Sequence, residues 1–274
     1  MLKTRILLVV GCAIIIGLIF LLPKVVVENE SALQESRSDS SSHIAPNNTA
    51  DSHLGAPKET LDAIRSLRGQ ISPSWSKEKN AIFADSLAKL YQVAGKFDSA
   101  GWFSEEAAKF FNTVESWTKA GDNYYQAYTF AIDQAKQKQL VEKAREFYEK
   151  VMERNPDDLD VKTKLAMTFV SSANPMQGIL MLREVLAADP KNELALFNMG
   201  MLSIQSGQHD RAVERLEELI KLNPAHTQGH LLLGIAFMNT GDKAKAKAQF
   251  EKVKQMDKDP AVQATVDSYL TDLK

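Results

Sequence analysis

The chain has 274 residues, 44% hydrophobic and 25% charged, with a net charge of −2 at pH 7. So even a balance gives no overall attraction to nucleic acid or to an anionic lipid surface. A single cysteine, Cys12, excludes an internal disulfide.

Ile6 to Leu22 is an uncharged run of 17 residues rich in Ile, Leu and Val. As a helix it would rise roughly 25 Å, close to the thickness of a bilayer core. Lys3 and Arg5 precede it, and Glu28 and Glu30 come after a short Pro23-Lys24 step. The run reads as one transmembrane helix within an anchor over 6–27. The positive-inside tendency leaves residues 1–5 cytoplasmic and places everything after Lys24 on the far side, the periplasm if the source is bacterial. Two other readings stay open. A cleaved signal peptide usually has a shorter apolar core and a small-x-small site, which does not follow Leu22. A lipidated Cys12 would follow the loose motif Val9-Val10-Gly11, but the apolar run continues well beyond it. Ala13 and Gly17 form a small-xxx-small pair that suits close approach of two membrane helices.

Residues 28–58 hold Ser40-Ser41-Ser42, Asn47, Asn48 and several acids, with few large apolar side chains. Such a segment buries too little to order itself and is expected to be a disordered linker. Residues 59–80 are expected to form an N-terminal capping segment, with a short helix over Thr60–Leu67.

From Ala81 onward the chain repeats. Pro156, Pro190 and Pro224 are spaced by 34 residues, and Pro260 comes after 36 more. With the late proline numbered 32, the unit from Leu159 has Leu165, Ala166, Phe169, Gly178, Leu182 and Val185 at 7, 8, 11, 20, 24 and 27. The unit from Glu193 has Met199, Gly200, Ala212, Leu216 and Leu219 in the same register, lacking an aromatic at 11. The unit from Thr227 has Leu233, Gly234, Phe237, Ala246, Phe250 and Val253. Small residues at 8 and 20 permit close helix crossing, and large ones at the other places fill the space between helices. Gly207 and Gly241 fall at 15, where a left-handed residue ends the first helix, and Asp210 or Asp242 can cap the second. The Leu159 unit has Ala173-Asn174-Pro175 there instead; Asn also tolerates the left-handed conformation and Pro can open a helix. The earlier units are less regular. Ala81–Asn112 carries Leu87, Ala88, Tyr91, Gly95, Ala100 and Ala107 in register without the final proline. The next unit has Trp117, Ala120, Gly121 and Tyr124, then about ten extra residues around Ala131–Gln139 before Ala144, Tyr148 and Val151. That insertion reads as longer helices or as a loop. Ala261–Leu273 reads as a last amphipathic helix with Val262, Val266, Tyr269 and Leu273 facing inward.

These units resemble the tetratricopeptide repeat (TPR) family over about Ala81–Pro260. The resemblance implies an all-α fold: a right-handed α-solenoid of about five helix–turn–helix TPR units over 81–260, with a C-terminal capping helix over 261–274. In that family the first helix of each unit lines a concave groove through its positions 2, 5, 9 and 12. Carried over, the groove comprises Thr163, Met167 and Val170, then Leu194, Phe197, Met201 and Ile204, then Leu231, Ile235 and Met238. Asn198 and Asn239 would hydrogen-bond a peptide backbone. Some members clamp a partner's terminal carboxylates with Lys and Arg; here Thr163 and Leu231 occupy places where a base would stand, which disfavours a chaperone-tail partner. The layout of an anchor followed by repeats is similar to TPR subunits of cytochrome c haem-attachment machinery and to periplasmic assembly factors.

No glycine-rich phosphate loop, nucleophile elbow or paired-carboxylate motif is present in the sequence, so no catalytic residue and no cofactor are expected. His226 and His230 are four apart, but no cysteine joins them, and a polar edge between units is favoured over a metal site. Lys243, Lys245, Lys247 and Lys252 lack interleaved aromatics and read as a solvated face, so no nucleic-acid partner is expected. The expected function is a membrane-anchored scaffold or adaptor. It would bind a peptide or helix of a partner protein in the groove and serve the assembly of an envelope complex. The alternative is a structural homo-oligomer whose groove is filled by copies of itself.

Overall fold

The computed structural model describes residues 56–72 and 76–273. The anchor over 6–27 and most of the expected linker lie outside those residues. Among the described residues no helix is long and apolar enough to cross a membrane.

The described residues form helices and no strand. Helix α1, Lys58–Arg68, comes first. Five helical hairpins come next: α2 Lys77–Val93 with α3 Phe97–Phe111, and α4 Val114–Phe130 with α5 Gln134–Arg154. After them stand α6 Leu159–Val170 with α7 Pro175–Ala188, α8 Glu193–Gln205 with α9 His209–Leu222, and α10 Thr227–Thr240 with α11 Lys243–Met256. Helix α12, Pro260–Asp272, closes the array. Each hairpin packs on the next, so hydrophobic clusters run through successive units.

The repeated positions are the core. Ala100, Ala144, Ala212 and Ala246, all at 20, are fully buried, as are Leu182, Leu216 and Phe250 at 24 and Val151, Val185, Leu219 and Val253 at 27. A large side chain at 24 fits because position 8 of the facing helix is small. A methyl group on Gly121 would come within 2.6 Å of the Tyr148 ring, and one on Gly234 would come equally close to Phe250. Each such Leu, Phe or Val side chain is worth about 1.5–3 kcal/mol when removed from water. Where the other units carry an aromatic at 11, α8 has Ser203, whose Oγ donates to the Met199 carbonyl and accepts from Arg215 Nη1 at 2.6 Å.

The turns obey local chemistry. Gly207 and Gly241 take positive φ, 74° and 86°, as a tight hairpin between helices requires. Asp242 accepts the Lys245 amide and caps α11. Asp210 does not act as a cap: it lies inside the first turn of α9, and Gln208 precedes that helix without a side-chain cap. Asn174 is not left-handed. It sits extended at φ −123°, directly before Pro175 opens α7. The reason is local: the ring of Pro175 pushes the residue before it to extended backbone. Beyond it the two helices cross closely, and a methyl on Gly178 would meet the Ala166 carbonyl oxygen at 2.3 Å.

The insertion lengthens two helices and forms no loop. Residues 131–133 make a tight turn, and α5, at 21 residues, is the longest described helix. The tip leans back on α3, where Phe130 stacks on Phe97 at 4.4 Å and Lys136 pairs with Asp98. Below it, a charged contact joins three helices. Glu105 of α3 accepts from the Tyr124 hydroxyl of α4 and from Lys143 of α5 at 3.0 Å, with Lys109 at 3.3 Å. Burial alone would push the Glu105 carboxyl up. The Tyr124 hydroxyl and the two ammonium groups outweigh it and hold Glu105 below the usual carboxylate range.

At the end of the array α12 covers α11. Val266 is fully buried and Tyr269 stacks on Phe250 at 5.0 Å. At the start, α1 lays Ile64 into the cluster of Leu87, Tyr91 and Phe103. The junction of α7 with α8 is the sparsest between consecutive hairpins, spanned by a small cluster of Ala166, Met167, Leu182 and Met199 and by Leu186, which also rests on the core of the last units.

Two outcomes test this packing. Gly178→Ala should cost about 3 kcal/mol in denaturant melts, since the obstructing atom is backbone. Gly207→Ala, with open space around it, should cost about 1 kcal/mol through its positive φ. Glu105 contributes stability that is complete above the ordinary carboxylate range and lost as pH falls through its lower folded value. Denaturant midpoints traced from about pH 6 to about pH 3 should therefore fall less steeply for Glu105→Gln than for the parent protein.

Candidate functional site

The first helices of the last three units, α6, α8 and α10, lie side by side. On α8 the buried residues Leu196, Met199 and Ser203 point to α9 and the core. At 100° per residue, Leu194, Phe197, Met201 and Ile204 fall on the opposite side of the same helix. All four are half-buried. On α10, Leu231, Ile235 and Met238 repeat that arrangement and are half-buried too. Phe197, Ile204, Leu231, Ile235 and Met238 rest against the core cluster of the last units, so each shows one flank and anchors the other. Phe197 also stacks on His226 at 5.2 Å. These seven side chains make one apolar row across α8 and α10. Val170 of α6, expected with them, instead turns its Cγ2 towards Gly178 in the α6–α7 crossing, where a methyl on that glycine would meet it at 2.7 Å.

Not every expected groove residue belongs to that row. Thr163 has 0% exposure and spends its hydroxyl on the Leu159 carbonyl, and Met167 is 6% exposed within the cluster that joins α6 to α8. Both lie under the surface, Met167 packed among Ala166, Leu182 and Met199. Asn198 is 9% exposed, and its Nδ2 donates to the Leu194 carbonyl. Asn239 is exposed, and its Nδ2 donates to the Ile235 carbonyl. Both amides already bond their own helices, so the expected peptide-backbone donors are occupied.

The equivalent face of α2 and α4 has different chemistry, which was not anticipated from sequence because groove positions were assigned only on the last three units. Lys119 lies 2.9 Å from Glu115 and 3.8 Å from Asp85, and Lys89 lies 2.8 Å from Asp85. Asp122 accepts from Tyr148 and pairs with Lys164 of α6 at 2.8 Å. The same register positions, applied to the earlier units, were the signal that would have found them. The first-helix face thus changes along the array from paired charges on α2, α4 and the start of α6 to an apolar row on α8 and α10.

The two spaced histidines serve the fold. His226 Nδ1 accepts the Gly229 amide at 2.9 Å and caps α10. His230 is buried with its ring nitrogens 2.7 Å from Gln249 Oε1 and 3.0 Å from the Pro224 carbonyl oxygen, linking α10 to α11 and to the preceding loop. Among the described residues no group of three or more His, Cys, Asp or Glu is placed to hold a metal ion. Lys243, Lys245, Lys247 and Lys252 are all exposed, and Lys245 pairs with Asp242 at 3.2 Å.

Residues 203–267 match the family profile for a tetratricopeptide repeat. A tetratricopeptide repeat and J domain-containing co-chaperone of Fusarium oxysporum is 30% identical over 97 residues, 35% of this chain. The match spans 19% of that larger protein. Among solved structures, a tetratricopeptide repeat protein from Parabacteroides merdae superposes with a TM-score of 0.56 at 16% identity, covering 78% of this chain and 82% of its own. The thermophilic TPR protein TTC0263 of Thermus thermophilus superposes at 0.55 and 18% identity, covering 72% of this chain and 100% of its own. The fold is that of a TPR solenoid, and the sequence resemblance to this family holds.

The division between row and core is measurable. Leu216→Ala should lower stability by about 2–5 kcal/mol, whereas Met201→Ala should cost about 1 kcal/mol or less. Equal losses in chemical denaturation would show that Met201 is core.

Proposed function

We propose that this chain is a non-catalytic scaffold that binds a peptide or helix of a partner protein along the first-helix face of α8 and α10. The observation that carries this reading is the row Leu194, Phe197, Met201, Ile204, Leu231, Ile235 and Met238. Each of the seven is half-buried and offers one apolar flank, and apolar surface gathered on one face marks interaction sites. The side chains are spaced to receive an amphipathic helix or an extended segment, and two of the seven are flexible methionines that adapt to different partners. Membrane attachment through 6–22, with the repeats on the far side and a role in assembling an envelope complex, belongs to the same proposal. It rests on the apolar run and its flanking charges alone.

The test is site-specific photo-crosslinking in cells. A crosslinker at Met201 or Met238 should trap a partner, and one at the outward Arg211 should not. Phe197→Glu combined with Ile235→Glu should abolish the trapped species while circular dichroism shows unchanged helix content. Capture that survives this double change in a folded protein places the binding site elsewhere.

A further inference from the structure

A second cleft lies away from the apolar row. It opens where the lengthened α4–α5 hairpin stands beside the α6–α7 turn, and it encloses about 630 Å³. Gln137, Lys138 and Arg145 line one wall, and Phe169, Asn174 and Gln177 line the other. None of the groove residues lines it.

Arg145 is the centre of this cleft. Its Nη2 donates to the Thr168 carbonyl at 2.7 Å, its Nε donates to Thr168 Oγ1 at 3.2 Å, and its guanidinium lies over the Phe169 ring at 4.3 Å. These contacts fix the plane of the fork. A guanidinium has five N–H donors, so both on Nη1 and one on Nη2 remain, and the end-on pair has the geometry that receives two carboxylate oxygens. Among the described residues no carboxylate lies within ion-pairing distance of Arg145. Lys138 and Glu142, which also line the cleft, sit 4.0 Å apart. The cleft therefore holds two cations against one carboxylate, and the unbonded donors of its fork match an anion.

We propose that this cleft binds a carboxylate carried by an extended peptide of a partner protein, either an acidic side chain or the chain terminus. A peptide fits better than a free small anion. One partly solvated cation pair is worth about 1 kcal/mol or less, too little to hold a small anion alone. The amides around the fork supply further contacts. Asn174 Nδ2 donates to Gln177 Oε1 at 2.9 Å, which leaves Gln177 Nε2 as a donor and Asn174 Oδ1 as an acceptor for peptide C=O and N–H groups. The insertion gains a use here, because it raises the wall that carries Gln137 and Lys138. The site is independent of the apolar row, so the two proposals fail separately.

The test uses the full chain and fluorescein-labelled octapeptide pools rich in Asp and Glu, beside pools with Asn and Gln in their place. Each pool is prepared with a free and with an amidated C-terminus. The acidic pool should bind up to about fivefold tighter than the amide pool, and Arg145→Gln should remove that difference. Because Arg145 also braces Thr168, Gln177→Glu provides a second variant. Residue 177 is exposed, and a carboxylate there should quench the fork without touching the core. Loss of the preference in both variants, with binding intact in the Phe197→Glu, Ile235→Glu double variant, supports the cleft. If the preference instead tracks the free C-terminus, the bound group is the chain terminus. Equal binding of all pools to the parent protein, an unchanged preference in Gln177→Glu, or full displacement by millimolar acetate or inorganic phosphate overturns the proposal.

Discussion

No helical hairpin of this chain can hide its own apolar side, and the structure depends on that constraint. A small residue at position 8 of each first helix admits a large one at position 24 of the second. The clearest examples are Gly121 with Tyr148 and Gly234 with Phe250. The remaining apolar surface is covered only by the neighbouring hairpin. Stability is then shared between units and their interfaces. The ends need special treatment, which α1 and α12 provide through Ile64 and through Val266 with Tyr269.

The same stacking creates the functional surfaces. First helices placed side by side turn one strip of each helix away from the core, and that strip is free to vary in chemistry. On α2 and α4 it carries charges that neutralise one another, as Lys119 does with Glu115 and Asp85. On α8 and α10 it carries aliphatic and aromatic flanks held by the core beneath them. Between these halves lies the thin junction of α7 and α8, bridged by Ala166, Met167, Leu182 and Met199.

The α4–α5 hairpin shows how a departure from the repeat becomes a feature. Its extra residues continue both helices, since Gln134–Gln139 holds good helix formers and Asp133 caps α5 through the Lys136 amide. The longer hairpin is braced against α3 by Phe97 and Asp98. It also stands beside the next unit, and Gln134, Gln137 and Lys138 of the extra residues line the cleft between them.

Sequence alone determined the repeat register, the buried small and large positions, the glycine turns at 207 and 241 and the closing helix, because these stem from local conformational limits and from a period that recurs. It also picked out most of the apolar row, since a helix that is apolar nearly all round must offer a second covered face. It could not tell which members of that row would be submerged. The depth of Thr163, Met167 and Asn198 depends on how closely neighbouring units approach, and that distance is summed over many contacts far apart in the chain. The extended Asn174 was legible in its own neighbour, since a proline pushes the residue before it to extended backbone, whereas the start of α9 at His209, with Asp210 inside its first turn, was not. Arg145 and Gln177 are 32 positions apart, and only the stacking of one hairpin beside a longer one brings them to the same cleft.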